Sequence, residues 1–323
     1  MDPSVTPRYS RAQVDHCAFA AWFPSLRHVS IKSEIVELPA AFVALLLADG
    51  VRLTTMKPTA RIQELPAETN VNETATTTPP SELDAQRTIE KEVRSQIEMA
   101  IRTLGGSVFP KLNWSCPRDA AWMLGSLKCV NYEDVFLLLK SSDFVVHDLT
   151  QAYANCSDSQ SCGGPETVTL VLRKWCNLFD SMLFRCFVVG HALVAVSQRH
   201  CDEFYEFLLD QQDQLCEVIY RFFHAHLART SPSAFPDPDF IFDVYVDKHH
   251  RVFLVDVNVF GAVTDPLLFT WGELMVMRDE VTRRRALRGA DDEEEDADEQ
   301  VVDFRVVESS KGIRPNALSS YLG

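Results

Sequence analysis

Two polar side chains interrupt a hydrophobic segment near the C-terminal third of the chain, and their types and spacing suit metal chemistry. Residues 252–260 read Val-Phe-Leu-Val-Asp-Val-Asn-Val-Phe. The segment is short, apolar and rich in valine, which predicts a β-strand. Because side chains on a strand alternate between its two faces, Asp256 and Asn258 are predicted to share one face.

A third oxygen donor is predicted to join them from a neighbouring strand. Residues 240–246 also read as a strand, and residues 247–250 form a short polar connection between the two. If that connection is a tight turn, Asp243 stands opposite Leu254 and one step from Asp256, on the same face. The hairpin therefore predicts two carboxylates and one amide close together.

Burying such groups costs free energy unless a cation or hydrogen bonds compensate them. Magnesium takes oxygen ligands and keeps phosphate oxygens and water in its shell. Asp243, Asp256 and Asn258 are thus candidate magnesium ligands. The residues alone leave a second interpretation open, in which Asp256 and Asn258 cap a strand end or satisfy backbone groups.

Several cations lie at the ends of hydrophobic segments and could bind phosphate. Lys111 ends a predicted strand and precedes a proline-punctuated loop, where it could reach a phosphate as a point charge or extend into solvent. Arg173, Arg185 and Arg199 flank apolar strand residues, where they could hold a polyphosphate or pair with the acidic surface. Neither a GxxxxGK[ST] nor a GxGxxG motif occurs, so a P-loop and a dinucleotide fold are not supported.

The elements that must position these residues are a mixture of helices and strands. Residues 83–104 carry Ile89, Val93, Ile97 and Ile101 at four-residue steps, which predicts an amphipathic helix. A long helix is predicted over residues 202–227 for the same reason. With strands predicted at 107–111, 167–175, 183–189, 240–246 and 252–260, the fold class is α+β.

Composition indicates one large folded body with two polar insertions. The chain has 323 residues, of which 46% are hydrophobic and 10% aromatic, enough for a sizeable core. Residues 54–82 are rich in Thr, Pro, Glu and Asn, which predicts a disordered insertion. The formal net charge is −15, and eight acidic residues lie between Asp291 and Glu299 alone, directly after an arginine cluster. We therefore expect an N-terminal lobe at 12–171, a C-terminal lobe at 172–275, a flexible charged insertion at 276–303 and a tail at 304–323.

The same numbers argue against several classes of protein. No sequence-wide basic footprint exists for direct nucleic-acid binding. Nine scattered cysteines indicate reduced thiols, and no apolar segment is long enough for a membrane span. We expect a cytoplasmic, monomeric protein that does not bind a membrane.

A set of short motifs, in this order along the chain, resembles the cell division cycle protein 123 family. The resemblance covers residues 14–275, with a weaker echo in the tail. The motifs are Phe-Pro-Lys-Leu-Asn-Trp-Ser at 109–115, Pro-Arg-Asp at 117–119, Lys-Ser-Ser-Asp-Phe at 140–144, Leu-Arg-Lys-Trp-Cys at 172–176, Phe-Arg-Cys-Phe at 184–187, Ser-Gln-Arg at 197–199 and Leu-Phe-Thr-Trp at 268–271.

The resemblance implies an ATP-grasp-like fold, with two lobes built from antiparallel sheets flanked by helices and a nucleotide cleft between them. It implies binding of ATP and Mg²⁺. It further implies an assembly chaperone that binds the gamma subunit of eukaryotic translation initiation factor two and promotes formation of the heterotrimer.

The resemblance also implies a role for particular residues of this chain. One wall of the nucleotide site would consist of Lys111, Asn113, Trp114, Cys116 and Asp119. The hinge beside the adenine would consist of Leu172, Arg173 and Lys174. The groups near the phosphates or ribose would be Arg185, Ser197 and Arg199, with Asp243 close by. The magnesium ligands would be Asp243, Asp256 and Asn258, the three that the strand pattern groups independently.

The sequence departs from the family pattern in one informative place. The family's Asp-Phe-Asn-Pro-Phe-Gly reads Asp-Val-Asn-Val-Phe-Gly at residues 256–261, so the ligand positions remain while the proline is lost. Because ATP-grasp folds generally activate a carboxylate, the alternative function is an active ligase or kinase that modifies a protein or a small molecule. No distinct acceptor-substrate motif accompanies it.

Overall fold

The computed structural model describes residues 6–48, 80–158, 163–231, 234–288 and 301–310. Nearly all of the predicted insertion at 54–82 lies outside these ranges. The helices are α1 (Arg11–His16), α2 (Phe19–Leu26), α3 (Ala40–Leu47), α4 (Pro80–Thr103), α5 (Tyr132–Lys140), α6 (Asp143–Thr150), α7 (Glu206–His226) and α8 (Trp271–Arg288). The strands are β1 (Ser33–Leu38), β2 (Val108–Lys111), β3 (Val168–Lys174), β4 (Leu183–Val189), β5 (Ala192–Gln198), β6 (Phe240–Val246), β7 (Val252–Val259) and β8 (Asp303–Arg305).

The smaller lobe consists of a three-stranded antiparallel sheet, in the order β1-β3-β2, and helices α3 to α6. The isoleucine and valine stripe predicted for residues 83–104 faces this sheet, and Val93, Ile97 and Ile101 are buried. Helix α4 ends where Gly105 adopts a φ of +96° and the Gly106 amide donates to the Ile101 carbonyl. A left-handed glycine satisfies a helix C-terminus in this way at little steric cost.

The larger lobe is built on a five-stranded sheet in the order β7-β6-β4-β5-β8. Its strands pair antiparallel except that β8 runs parallel to β5. One face packs against α7, α1 and α2, where residues such as Phe223 and Phe242 are completely buried. The opposite face is apolar only in part, where Phe187, Ile241 and Leu274 pack beneath the start of α8. The α+β class and the two lobes expected from the sequence are confirmed.

The structure differs from the predicted division of the chain in three respects. Strand β3 pairs along its whole length with β1 and β2, so a boundary between residues 171 and 172 would cut the smaller sheet. Helices α1 and α2 precede that boundary in sequence, yet their apolar residues join the core of the larger lobe. Helix α8 extends through Arg288, because Met277 and Val281 pack against the larger sheet, so the predicted flexible insertion at 276–303 begins as a helix.

None of the helices in the described ranges combines the length and the apolar character that a membrane crossing requires.

The stripe of α4 gives a direct test of the smaller lobe. Ile97 is fully buried, whereas Met99, two residues along the same helix, is 58% exposed. Ile97→Ala should lower the free energy of unfolding by about 2–5 kcal/mol, because it removes buried methylenes and leaves a cavity. Met99→Ala should change it by less than about 0.5 kcal/mol. Urea unfolding followed by circular dichroism measures both; equal effects would contradict this packing.

Candidate functional site

A row of polar residues crosses the larger sheet on the face away from α7. Adjacent strands place Ser197 opposite Arg185, Arg185 opposite Asp243, and Asp243 opposite Asp256. At the other edge Arg305 of β8 stands beside Ser197. Paired residues lie on the same face of a sheet, so all five side chains belong to one surface. We call these five residues the polar row.

The pairing of β6 with β7 differs from the predicted hairpin register. Val244 pairs with Leu254, and the next pair is Asp243 with Asp256, which leaves Val255 as an extra residue in a β-bulge. The prediction that Asp243 faces Leu254 is therefore wrong, because the hairpin pairs Val246 with Val252 at its turn, one residue out of the predicted register, and the bulge then adds a further shift. Asn258 lies two residues beyond Asp256 and shares its face. The three expected metal ligands do occupy one face, through the bulge.

A buried ion pair forms the centre of the row. The Arg185 guanidinium donates from Nε and Nη2 to the two oxygens of Asp243, at 2.8 Å each, and from Nη1 to the Asp265 carbonyl, also at 2.8 Å. Nε of Arg199 lies 3.6 Å from Oδ2 of Asp243. Burial by itself would raise the pKa of Asp243, but the charge and hydrogen bonds of Arg185, with the charge of Arg199, outweigh it and lower the pKa to about 2.

The smaller lobe contributes further cations to the same surface. Lys111 ends β2, and its ammonium lies 2.5 Å from Oδ2 of Asp256 although only 1% of its side chain is exposed. Nη1 of Arg173, from β3, donates to the Val255 carbonyl at 2.7 Å. The cleft between the lobes is thus closed by charged side chains that cross from one sheet to the other.

The cleft carries more positive than negative charge. Lys111, Arg173, Arg185 and Arg199 contribute four cations, whereas the carboxylates that they contact within the described ranges belong to two residues, Asp243 and Asp256. Further out, Arg118 and Asp265 add one charge of each sign. Burial lowers the pKa of Arg173, and burial followed by the nearby charge of Arg185 lowers the pKa of Arg199 to about 10. Because burial and a neighbouring cation disfavour the charged form of these arginines, a bound anion would stabilise them.

Unpartnered polar atoms point to the same conclusion. Nε and Nη2 of Arg173 and the Asn258 amide nitrogen are buried and have no hydrogen-bond partner among the described residues. Leaving such groups unpaired costs free energy, which a polar ligand recovers. The described residues hold no group of three or more His, Cys, Asp or Glu that could bind a metal by themselves. Two carboxylates and an amide with phosphate oxygens and water fit the needs of magnesium, so the donor set fits a magnesium–polyphosphate ligand.

Three residues expected on the nucleotide wall form hydrogen bonds with other parts of the protein. The Asn113 amide accepts from the Thr169 backbone N–H at 2.7 Å and donates to the Thr167 carbonyl at 2.9 Å. The Trp114 indole N–H donates to the Val14 carbonyl at 2.8 Å. Asp119 accepts from the Ser142 hydroxyl and the Asp143 N–H at 2.6 Å each, at the start of α6. These side chains support the cleft and do not join the polar row.

The remaining predicted residues occupy mixed positions. Leu172 is fully buried in the core of the smaller lobe, so only its backbone could contact a ligand. Lys174 is exposed and Cys116 is partly buried. The Ser197 hydroxyl donates to the Gln198 carbonyl at 2.9 Å and accepts from the Leu268 N–H at 3.3 Å. Ser197 therefore ties β5 to the loop before α8.

Two residues of the site region escaped the sequence analysis. Asp148 accepts from the Ser115 N–H at 2.8 Å and from its hydroxyl at 2.7 Å, which holds the loop after Lys111; burial raises the pKa of this carboxyl, although the hydrogen bonds from Ser115 oppose the shift. Arg305 joins the polar row from β8 and donates to Glu273 at 2.8 Å. A lone acid among apolar helix residues and an arginine beyond an acidic tract carry no spacing signal, so neither could be read from the sequence.

The Arg185–Asp243 pair predicts a characteristic pH dependence. Because the pKa of Asp243 falls from 3.8 to about 2, its stabilising effect is complete above pH 3.8 and is lost as the pH falls toward 2. Asp243→Asn should lower the free energy of unfolding by about 3–5 kcal/mol at pH 7, since Arg185 loses its buried partner. The difference from the unmodified protein should shrink between pH 5 and pH 2. Urea unfolding across this range measures it, with the exposed Asp279→Asn as control; a constant difference would contradict the pair.

Comparison with known proteins agrees with this architecture. The D123 family profile matches residues 22–322. A protein of Xenopus tropicalis named translation initiation factor eIF2 assembly protein is 38% identical over 320 residues, covering 96% of this chain and 89% of that protein. Cell division cycle protein 123 of Aspergillus terreus is 39% identical over 298 residues, covering 89% of this chain and 68% of that protein.

Solved structures give the same answer. The structure of Cdc123 from Schizosaccharomyces pombe superposes with a TM-score of 0.71 at 33% identity, covering 94% of this chain and all of that chain. The family profile spans well over half of the sequence, and the relatives exceed 30% identity over most of their length. The chain belongs to the D123 family, the family of cell division cycle protein 123.

Proposed function

We propose that this chain binds ATP and Mg²⁺ in an ATP-grasp-like cleft between its two lobes and acts as an assembly chaperone for translation initiation factor eIF2, holding the gamma subunit. The observation that carries nucleotide binding is the surplus of buried positive charge around the polar row. The eIF2 role rests on the names of relatives that align over nearly the whole chain. We further propose that it works in the cytoplasm.

The phosphates are assigned to the cations that lack a full complement of acidic partners. Arg199 is the clearest case, because it contacts Asp243 only at 3.6 Å while Arg185 already binds both oxygens of that carboxylate. Lys111 approaches the same region from the smaller lobe. The adenine is assigned to the C-terminal end of β3, where the predicted hinge residues Leu172, Arg173 and Lys174 lie.

Magnesium is assigned to Asp243, Asp256 and Asn258. Bound there, it would neutralise phosphate charge that the two carboxylates would otherwise repel. Each carboxylate oxygen has two lone pairs, so the contacts with Arg185 and Lys111 leave room for a further partner. Oδ1 of Asn258 would be the third oxygen ligand, while its buried amide nitrogen, which has no hydrogen-bond partner among the described residues, would donate to a phosphate oxygen.

The arrangement connects nucleotide binding to the partner surface. Lys111 and Arg173 belong to the smaller lobe, whereas Arg185, Asp243 and Asp256 belong to the larger lobe. A ligand that contacts both sets favours one relative position of the lobes, to the extent that it binds this position more tightly. The surface that results is the one proposed to hold the gamma subunit.

Removing one phosphate-facing cation should weaken ATP selectively. Arg199→Gln should raise the dissociation constant for ATP with Mg²⁺ by about tenfold to a hundredfold, because a charge-assisted hydrogen bond contributes about 1.5–3 kcal/mol. Binding of adenosine should not change. Isothermal titration calorimetry measures both ligands, and Arg221→Gln, at a side chain 74% exposed on α7, is the matched control. Equal losses for ATP and adenosine would contradict the assignment of the phosphates.

The link to assembly has a separate test. Capture of purified gamma subunit by this chain should strengthen when ATP and Mg²⁺ are added, and Asp256→Asn should remove that increase. The same incubation, assayed for released phosphate and for a new covalent product, tests the ligase or kinase alternative. Capture that is indifferent to nucleotide in both proteins would refute ATP-dependent chaperone action, and stoichiometric turnover would favour the enzyme.

A further inference from the structure

The bulge at Val255 decides which way the acid of β7 points. From Val246 to Val244 the hairpin pairs regularly, and Val244 stands opposite Leu254 on the face packed against α7. Regular pairing would continue with Asp243 opposite Val255. Asp256 would then stand opposite Phe242, whose ring lies in the core of the larger lobe. A shift of one residue moves every later side chain to the other face.

The extra residue therefore brings Asp256 onto the polar row. With Val255 unpaired, Asp256 stands opposite Asp243, and Asn258 follows on the same face. Bulges re-aim side chains in this way and are frequent beside active sites. All three proposed magnesium ligands thus depend on the bulge for their common orientation.

Two donors from outside the hairpin hold the backbone at the bulge. Nη1 of Arg173 donates to the carbonyl of Val255 at 2.7 Å. The hydroxyl of Ser30 donates to the carbonyl of the preceding residue, Leu254, at 2.8 Å. A bulge disrupts the ladder locally, so its backbone groups need partners from elsewhere.

The surroundings of Arg173 are unusual for a charged side chain. It is 1% exposed, its guanidinium lies 5.2 Å from the ring centre of Phe19 and 5.3 Å from that of Phe109, and it forms no ion pair with a carboxylate among the described residues. Within the part of the chain that the structure describes, its one hydrogen bond goes to the Val255 carbonyl. Burying a guanidinium whose only hydrogen bond goes to one carbonyl costs free energy. This cost indicates that the contact with Val255 contributes to the arrangement of the site.

We propose that Arg173 is a positioning residue for the metal site: with Ser30, it holds the Val255 bulge and thereby turns Asp256 and Asn258 toward Asp243. The resemblance placed Arg173 beside the adenine; here it acts through the backbone of β7. Its effect on metal affinity rests on the proposed function, whereas its effect on the orientation of Asp256 does not.

The test compares ATP binding in Mg²⁺ with ATP binding in EDTA. The ratio of the two dissociation constants measures how much the metal strengthens binding. Arg173→Met, which keeps much of the volume but has no donor, should reduce this ratio about 10–100-fold, the usual cost of losing a group that orients metal ligands. Arg173→Lys, which keeps a donor, should restore most of it.

The hairpin offers a matched control. Arg251 pairs with Asp247 at 2.7 Å at the turn end of the same hairpin, far from the bulge, and is 68% exposed. Arg251→Met should leave the ratio unchanged. A crystal structure of Arg173→Met supplies the readout without ligand: the Asp256 side chain should leave the polar row, or the Val255 bulge should change its register.

The outcomes separate the two proposals. An unchanged ratio with Asp256 still on the row overturns the positioning role while ATP binding stands. Equal weakening in Mg²⁺ and in EDTA by Arg173→Met also overturns it, because Arg173 would then bind the nucleotide directly. If the unmodified protein binds no ATP, the proposed function fails, and the crystal structure alone decides the orientation of Asp256.

Should Arg173→Met not fold, two further variants carry the test. Ser30→Ala removes the second donor and should lower the magnesium ratio in the same direction by a smaller factor. Deletion of Val255 removes the bulge itself and should abolish the strengthening by Mg²⁺ while ATP in EDTA still binds. Normal magnesium ratios in both variants would overturn the role of the bulge.

Discussion

The structure depends on one constraint, which is that charged groups are buried where the two lobes meet. Arg185 and Asp243 lie in the middle of a five-stranded sheet, and Lys111 reaches across to Asp256 from the smaller sheet. Ion pairs in such places add little stability relative to apolar residues, because desolvation offsets their attraction. A fold that keeps four cations around two carboxylates carries an electrostatic cost here, and this cost is the basis of the proposal that an anion binds between the lobes.

Strand β7 of the larger lobe accepts hydrogen bonds from side chains of the smaller lobe. Its consecutive residues Leu254, Val255 and Asp256 each accept a hydrogen bond from outside the larger sheet, from Ser30, Arg173 and Lys111 respectively. Two of these donors come from the smaller sheet. A ligand bound at Asp256 would therefore also change the contacts that hold the smaller lobe against the larger one. Through these contacts it would act on the surface proposed to hold the gamma subunit.

The residues expected on the nucleotide wall show that a sequence motif identifies residues without giving the direction of their side chains. Asn113, Trp114 and Asp119 belong to recognisable family motifs, yet their polar atoms bind Thr169, Val14 and Ser142 within the protein. Sequence carries the identity of such residues but not the direction of their side chains. Their hydrogen bonds fix the loop after Lys111.

The sequence by itself determined the α+β class, the amphipathic stripe of α4 and the shared face of Asp256 and Asn258, because periodic burial and strand alternation are local properties. It also predicted Asp243 on that face, but in the structure Asp243 meets Asp256 only through the bulge. It could not determine the pairing of Asp243 with Asp256, since one extra residue at Val255 changes the register and is invisible to alternation. It also could not assign β3 to the smaller sheet or bring Arg305 beside Ser197. Those contacts join residues far apart in the chain, and only tertiary packing decides which distant strands meet.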